Sequence, residues 1–302
     1  MKVKSLAPWF GGKRNIAADI VAEIGAEIGD HRVYWEPFCG SMAVLFAKSA
    51  CVMETVNDLH RDLINLARVV QDDTEGPRLF GRLSRTAMHE SLFRDASESI
   101  ADGEASDFDP QRAYHYCIVA WLGRNGVAGT GSYNGHFCVR YTANGGHSAK
   151  RWQSVIESVP AWWSRLQNVT ILCRDAFELL ERIEDKAGTA IYLDPPYIEK
   201  GTTYKHDFGM TSKRGQNREA AIDEHRRLAT ALQRFQLARV VVSYYDHELL
   251  TELYPSWTKR HIDATKALVS QGRRGVGGTV KAPEVLLING PSNVQRNEKE
   301  LF

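Results

Sequence analysis

A chain of 302 residues, 43% hydrophobic and 25% charged, holds enough apolar side chain for one large α/β domain or a domain with a sizeable insertion, and is not a disordered chain. No run approaches a membrane span, and the start MKVKSLAPWFGGKRNIAADIVAEIG turns polar before a signal-peptide core can form, so a soluble cytoplasmic protein is expected. The five cysteines lack CxxC spacing and histidine partners, which argues against a disulfide framework and a metal site and leaves buried or spectator thiols.

PWFGGKRN (8 to 15) places Trp9 and Phe10 before Gly11, Gly12 and Lys13 and ahead of a helical pattern over 13 to 28. Such a turn either brings backbone close to a ligand or simply starts a helix. RVYWE (32 to 36) reads as a buried strand ending at Glu36, followed through Phe38 by a turn at Gly40 and a helix over 41 to 49. The turn suits close approach to a ligand, with the strand-end carboxylate of Glu36 free to meet a hydroxyl or a cation, although a plain strand-to-helix turn has the same look. A second strand, CVMETVN (51 to 57), precedes Asp58 and a helix over 60 to 71. An acid there accepts hydrogen bonds from a ribose diol or caps the helix that follows, and the two readings compete.

Strand and helix alternation breaks between about 72 and 168. That stretch carries helical patterns in RLFGRLSRTAMHESLF and PQRAYHYCIVAWLGR, an acidic loop SESIADGEASDFD, and a Gly-rich passage in which Asn134-Gly135 signals a hairpin. Charge divides here too. Residues 54 to 109 hold 13 Asp and Glu against 6 Lys and Arg, while residues 112 to 174 hold 7 Lys and Arg against one acid, Glu157. Cations interleaved with aromatics and amides suit a nucleic-acid surface, or else an ordinary solvated face. A second, smaller domain over 72–168 is expected, inserted between 1–71 and 169–302.

The alternation resumes with strands VTILC (169 to 173), TAIYLD (189 to 194) and RVVVSYY (239 to 245), and with helices over 175 to 184 and 217 to 236. KAPEVLLING (281 to 290) is expected to end the sheet as an antiparallel edge strand. The whole predicts a doubly wound α/β sheet with ligands at the carboxyl ends of its strands. The polar loops 205 to 218 and 270 to 278 offer phosphate contacts or solvent-facing loops.

AIYLDPPYIEK drives a strand into two prolines. Pro195 and Pro196 stiffen the backbone and lack N–H groups, so the Asp194 carboxylate and the Pro195 carbonyl can converge as two acceptors beside the Tyr197 ring. An exocyclic amine held through both of its hydrogens turns pyramidal, which frees its lone pair for in-line attack. The alternative is a turn that closes a strand.

Taken together, DPPY (194 to 197), EPFCGS (36 to 41) and WFGGK (9 to 13), with further blocks NDLHRDLINL, CRDAFELL, VVVSYYDHELLTELY and PEVLLIN, resemble the Dam-like DNA adenine-N6 methyltransferases of the D12 class over nearly the whole chain. The resemblance implies a Rossmann-like fold, S-adenosylmethionine as methyl donor, no metal, and double-stranded DNA as partner of a monomeric enzyme in a bacterial or phage-infected cell. It implies that Trp9, Phe10, Gly12, Lys13, Glu36, Phe38, Gly40, Asp58, Asp175, Phe177 and Asp194 line the donor site. Asp194, Pro195, Pro196 and Tyr197 would hold a flipped adenine. Arg124, Asn125, Ser132, Asn134, His136 and Arg140 would meet DNA from a mainly helical recognition domain with a β-hairpin. Two departures stand out: Gly131 or Ser132 occupies the place of the arginine that GATC-reading members carry, and Met42 replaces a small residue. Related chemistry on cytosine N4, on RNA or on a glutamine amide, and a DNA-binding relative that has lost catalysis, are the competing readings. Asp194 in place of Asn disfavours the glutamine enzymes.

Overall fold

The computed structural model describes residues 5–9, 11–25, 31–101, 103, 105–123, 136–139, 148–198, 218–265 and 281–294. Parallel strands β1 (Val33–Glu36), β2 (Met53–Asn57), β3 (Val169–Leu172), β4 (Thr189–Leu193) and β5 (Arg239–Tyr245) join β6 (Thr258–Thr265) and β7 (Lys281–Ile288), β7 pairing antiparallel with both β5 and β6, in one sheet of order β3-β2-β1-β4-β5-β7-β6. The chain winds outward from β1 to β3 and then returns to lay β4 on the other side of β1. The direction of winding therefore switches between β1 and β4, and a crevice opens at such a point beyond the strand ends. EPFCG follows one of these two strands and DPPY follows the other.

The sheet is apolar on both faces because successive side chains alternate. Tyr192, Val241, Leu286 and Ile288 belong to one core, with helices α1 (Ala17–Ile24), α2 (Ala43–Ala47) and α3 (Arg61–Gln71). Ile191, Leu193, Val242 and Leu287 belong to the other, with α9 (Ala176–Arg182), α10 (Arg218–Leu232) and α11 (Leu249–Leu253). Between β2 and β3 the chain adds α4 (Glu75–Ser84), α5 (Glu90–Ala101), α6 (Pro110–Leu122), α7 (Ser148–Ile156) and α8 (Val159–Leu166), whose apolar faces continue the first core. Buried ion pairs stitch these helices to the sheet layer: Arg112 of α6 to Asp62 of α3, and Arg165 of α8 to Glu54 of β2, which Lys48 also meets.

Two expectations are corrected. KAPEVLLING is not an edge strand, since β7 lies between β5 and β6. The edge is TKRHIDAT, which sequence reading passes over because edge strands carry charge rather than apolar alternation. The supposed acidic loop begins inside α5, which runs to Ala101 because Phe93, Ala96 and Ile100 form an apolar stripe at helical spacing. The Asn134-Gly135 hairpin and the loops over 205–217 and 270–278 lie outside the described residues. No described helix is long and apolar enough to cross a membrane.

Candidate active site

Asp194 follows β4 directly, and its carboxylate is the point on which the crevice converges. Lys13 Nζ lies 2.8 Å from Asp194 Oδ1, and Ser243 Oγ of neighbouring β5 donates to the same oxygen at 2.9 Å. Lys13 is presented by a single 3-10 turn (Lys13–Asn15) after Gly11, whose φ of +69° suits a residue without a side chain. Its ammonium also donates to the Gly11 carbonyl at 2.6 Å and sits 4.7 Å above the Tyr197 ring. Burial pushes the Asp194 carboxyl up, while Lys13, Ser243 and Tyr197 oppose that shift.

Tyr197 is itself held in place. Its hydroxyl donates to Glu284 Oε2 at 2.7 Å, and its ring meets Tyr245 edge-on at 4.5 Å. Glu284 comes from β7, and burial raises its pKa against the opposing Tyr197 hydrogen bond and Lys13 charge. Pro195 is buried and Pro196 half-buried, so the corner is packed rather than free-standing.

The other half of the crevice follows β1 and β2. Gly40 has φ of +42°, and a Cβ there would stand 2.9 Å from Trp9 Nε1, so both the backbone and the indole require glycine. Asp58 accepts from Gly40 N and from His60 N, each at 2.9 Å. The helix-cap role goes to His60, whose Nδ1 accepts from Leu63 N at 3.2 Å. Asp58 is thereby tied to the glycine turn and remains half-exposed, and each carboxylate oxygen has a second lone pair. Trp9 meets the His60 ring edge-on at 5.3 Å, and Gly12 N donates back to the Trp9 carbonyl at 3.2 Å.

Glu36 is buried at 1% exposure, and Tyr34 donates to its Oε2 at 3.0 Å. Burial raises its pKa to about 8, opposed by the Tyr34 hydrogen bond and reinforced by Asp194. Asp175 caps α9 by accepting from Phe177 N at 2.7 Å. Phe177 is buried with the Arg227 guanidinium 3.9 Å over its ring, while Phe38 is half-buried against the second core. Met42 turns into the core, fully buried, at φ of +58°. A non-glycine residue at positive φ is uncommon and marks strain in this turn.

Three supporting residues escape sequence reading. Ser243 and Glu284 hold Asp194 and Tyr197, and each is a polar residue inside an otherwise apolar strand, a signal visible in VVVSYY and PEVLLIN. Asn57 ties the turns after β1 and β3 together. Its Nδ2 donates to the Pro37 and Arg174 carbonyls at 3.0 and 2.9 Å, and its Oδ1 accepts from Arg174 N. Phe10, Arg124, Asn125, Ser132, Asn134 and Arg140 lie outside the described residues, while His136 is described and exposed. No cluster of three or more metal-ligating His, Cys, Asp or Glu side chains occurs among the described residues.

A doubly wound sheet with a glycine turn after β1 tied to an acid after β2, and a rigid two-proline corner after β4, fits a Rossmann-like methyltransferase. The family model of the D12 class N6 adenine-specific DNA methyltransferases matches residues 9–270, and the chain belongs to that family. A search of curated proteins gave no match. The enzyme methylates adenine in DNA site-specifically, and its family implies S-adenosylmethionine as donor.

Proposed function

We propose that this crevice methylates the N6 of an adenine swung out of duplex DNA, with S-adenosylmethionine along the ends of β1 and β2 and the amine at Asp194-Pro195-Pro196-Tyr197. The observation that carries the reading is the convergence of Lys13 and Ser243 on the Asp194 carboxylate at the winding switch. The donor chemistry suits the cofactor. Asp58 accepts from a diol, Trp9 and Phe38 give aromatic surface, and Gly40 lets the Trp9 indole close against the turn, with Gly12, Lys13, Asp175 and Phe177 on the donor side and Glu36 buried beneath it. When bound, the donor supplies a sulfonium methyl, an electrophile that needs no metal.

The chain's own residues act on the amine. Asp194 Oδ1 is engaged by Lys13 and Ser243, so the remaining oxygen and the Pro195 carbonyl are the acceptors for the two N–H bonds. Accepting both favours a pyramidal nitrogen with its lone pair aimed at the electrophile. Asp194 acts as an acceptor, and proton loss follows methyl transfer. The base must leave the duplex because its N6 is otherwise paired and stacked.

Residues 72–168 are proposed as the recognition domain, with Arg124, Asn125, Ser132, Asn134, His136 and Arg140 toward the DNA. The absence of arginine at 131 and 132 supports a site other than GATC, because arginine is the usual bidentate reader of guanine. A monomer working in the cytoplasm of a bacterial or phage-infected cell completes the proposal.

Wild type and Asp194→Ala are compared for methyl incorporation from labelled donor into unmethylated DNA, and the modified base is identified. Loss of incorporation in the variant with N6-methyladenine from wild type is expected. Equal incorporation by both, or N4-methylcytosine, overturns the reading.

A further inference from the structure

Away from the methyl-transfer crevice, an open cavity of about 680 Å³ lies between α4, the start of α5 and α6. Arg78, Arg82 and Arg85 fall at i, i+4 and i+7, so they form one exposed ridge beside it. Among the described residues, no acidic side chain lines it. Glu75 pairs with Arg78 one turn back, and Glu90 opens α5, but neither is among the lining residues. His89 closes the far side, where the amino end of the twelve-residue α5 adds its own partial positive charge.

Arg82 is preorganised. Its guanidinium carbon stands 3.5 Å from the centre of the Tyr114 ring, the guanidinium donates to Gln111, and Tyr114 is steadied in turn by Thr86 at 2.9 Å. A plain helix end carries basic residues to meet its own carbonyls, but it does not need one stacked on a braced aromatic. Gly81 lies between Arg78 and Arg82, and a Cβ built there meets nothing within 4 Å.

Position argues for the occupant. Tyr114 faces this cavity, while Tyr116, two residues along α6, stands 5.7 Å from His60 on the Trp9 side. Residues two apart on a helix point to nearly opposite sides, so α6 is the wall between cavity and crevice. The same framework carries the segment expected to read DNA. Trp152 Nε1 donates to the Thr86 carbonyl at 3.3 Å, Arg151 lies over Trp121 near the end of α6, and Phe137 packs on Phe93 of α5.

We propose that the Arg78, Arg82 and Arg85 ridge binds the phosphodiester backbone of the substrate duplex outside the nucleotide being methylated. The proposal rests on duplex DNA being the substrate. The ridge contributes affinity without sequence information, because cations on phosphates displace counterions whatever the bases.

The full chain is titrated into a labelled duplex of about 30 base pairs and arbitrary sequence across a salt series around 0.1 M, by fluorescence anisotropy. Arg78→Ala with Arg85→Ala is expected to flatten the slope of log affinity against log salt by about 2. Gly81→Glu, which inserts a negative charge without a clash, is expected to weaken binding about tenfold at the same salt. Both variants should melt like wild type and raise the KM for DNA while leaving kcat at saturating DNA unchanged. An unchanged salt slope and affinity overturns the proposal. So does loss of pyrophosphate binding in Gly81→Glu with duplex affinity intact, which would mark a small-anion pocket. Failure of the underlying function looks different, because wild type itself would then incorporate no methyl group into DNA.

Discussion

Glu36→Gln tests whether the acid at the end of β1 is held as a neutral group near the Asp194 carboxylate. Its side chain is fully buried, and its pKa is raised from 4.5 to about 8. Between those values the folded chain keeps a proton that the unfolded chain has released. Stability therefore falls as pH rises through the window, by about 1.4 kcal/mol per pH unit, and levels off above about pH 8. From pH 5 to pH 8 the loss from this group is about 4 kcal/mol. Glutamine keeps the shape and a polar partner for the Tyr34 hydroxyl but has no proton to lose. The stability of the variant relative to wild type should thus rise by about 4 kcal/mol over the same interval, whatever the substitution costs at pH 5. Urea unfolding of both proteins at pH 5, 6.5 and 8 measures that difference. Two parallel curves would refute the reasoning and show that Glu36 is ionised in the folded protein. A neutral Glu36 has a catalytic consequence as well, because it keeps a second negative charge away from Asp194, the group that reinforces its shift.

Lys13→Met removes the charge that opposes the burial of Asp194, so the Asp194 pKa should climb further. The acid limb of a pH-rate profile for methyl transfer should then move to higher pH than in wild type, and an unmoved limb would refute the coupling. Tyr197→Phe keeps the ring but leaves Glu284 without its 2.7 Å donor, costing about 1–3 kcal/mol in thermal melts and lowering activity less than Asp194→Ala does. Gly40→Ala forces a side chain onto φ of +42° and into the Trp9 indole, and calorimetry should show donor affinity reduced by about tenfold or more.

The parallel strands were legible because buried strands carry β-branched and aromatic runs, and the observed β1, β2, β3, β4 and β5 fall within those stretches. The turns at Asp194, Gly40 and Asp58 were legible as turns because proline, glycine and a strand-end acid each limit what backbone can do. β6 was not, since an edge strand needs no apolar alternation and TKRHIDAT has none. Ser243, Glu284 and Asn57 were hidden for a different reason. Each acts on a residue 20 or more positions away through a strand pairing that only the sheet order reveals. Spacing alone also left the cap of the helix after β2 open between Asp58 and its neighbours, and the structure gives it to His60, whose Nδ1 accepts from Leu63 N.

The acceptor corner draws its precision from chain segments that are far apart. Lys13 comes from before the first strand, Ser243 from β5 and Glu284 from β7, and all three reach the four residues after β4. Two prolines stiffen backbone but do not aim a carboxylate, and a side chain aimed by one contact can rotate about its bond. Asp194 is gripped by a cation and a hydroxyl on the same oxygen, which restricts its rotation, and in the proposed reaction the other oxygen is the one that meets the amine. Tyr192, which meets Ser243 at 2.9 Å, extends that grip into the sheet core. Because in-line attack tolerates little misplacement of the amine, a loss at Ser243 or Glu284 should act on kcat through the aim of Asp194 and Tyr197 rather than through any contact with the base.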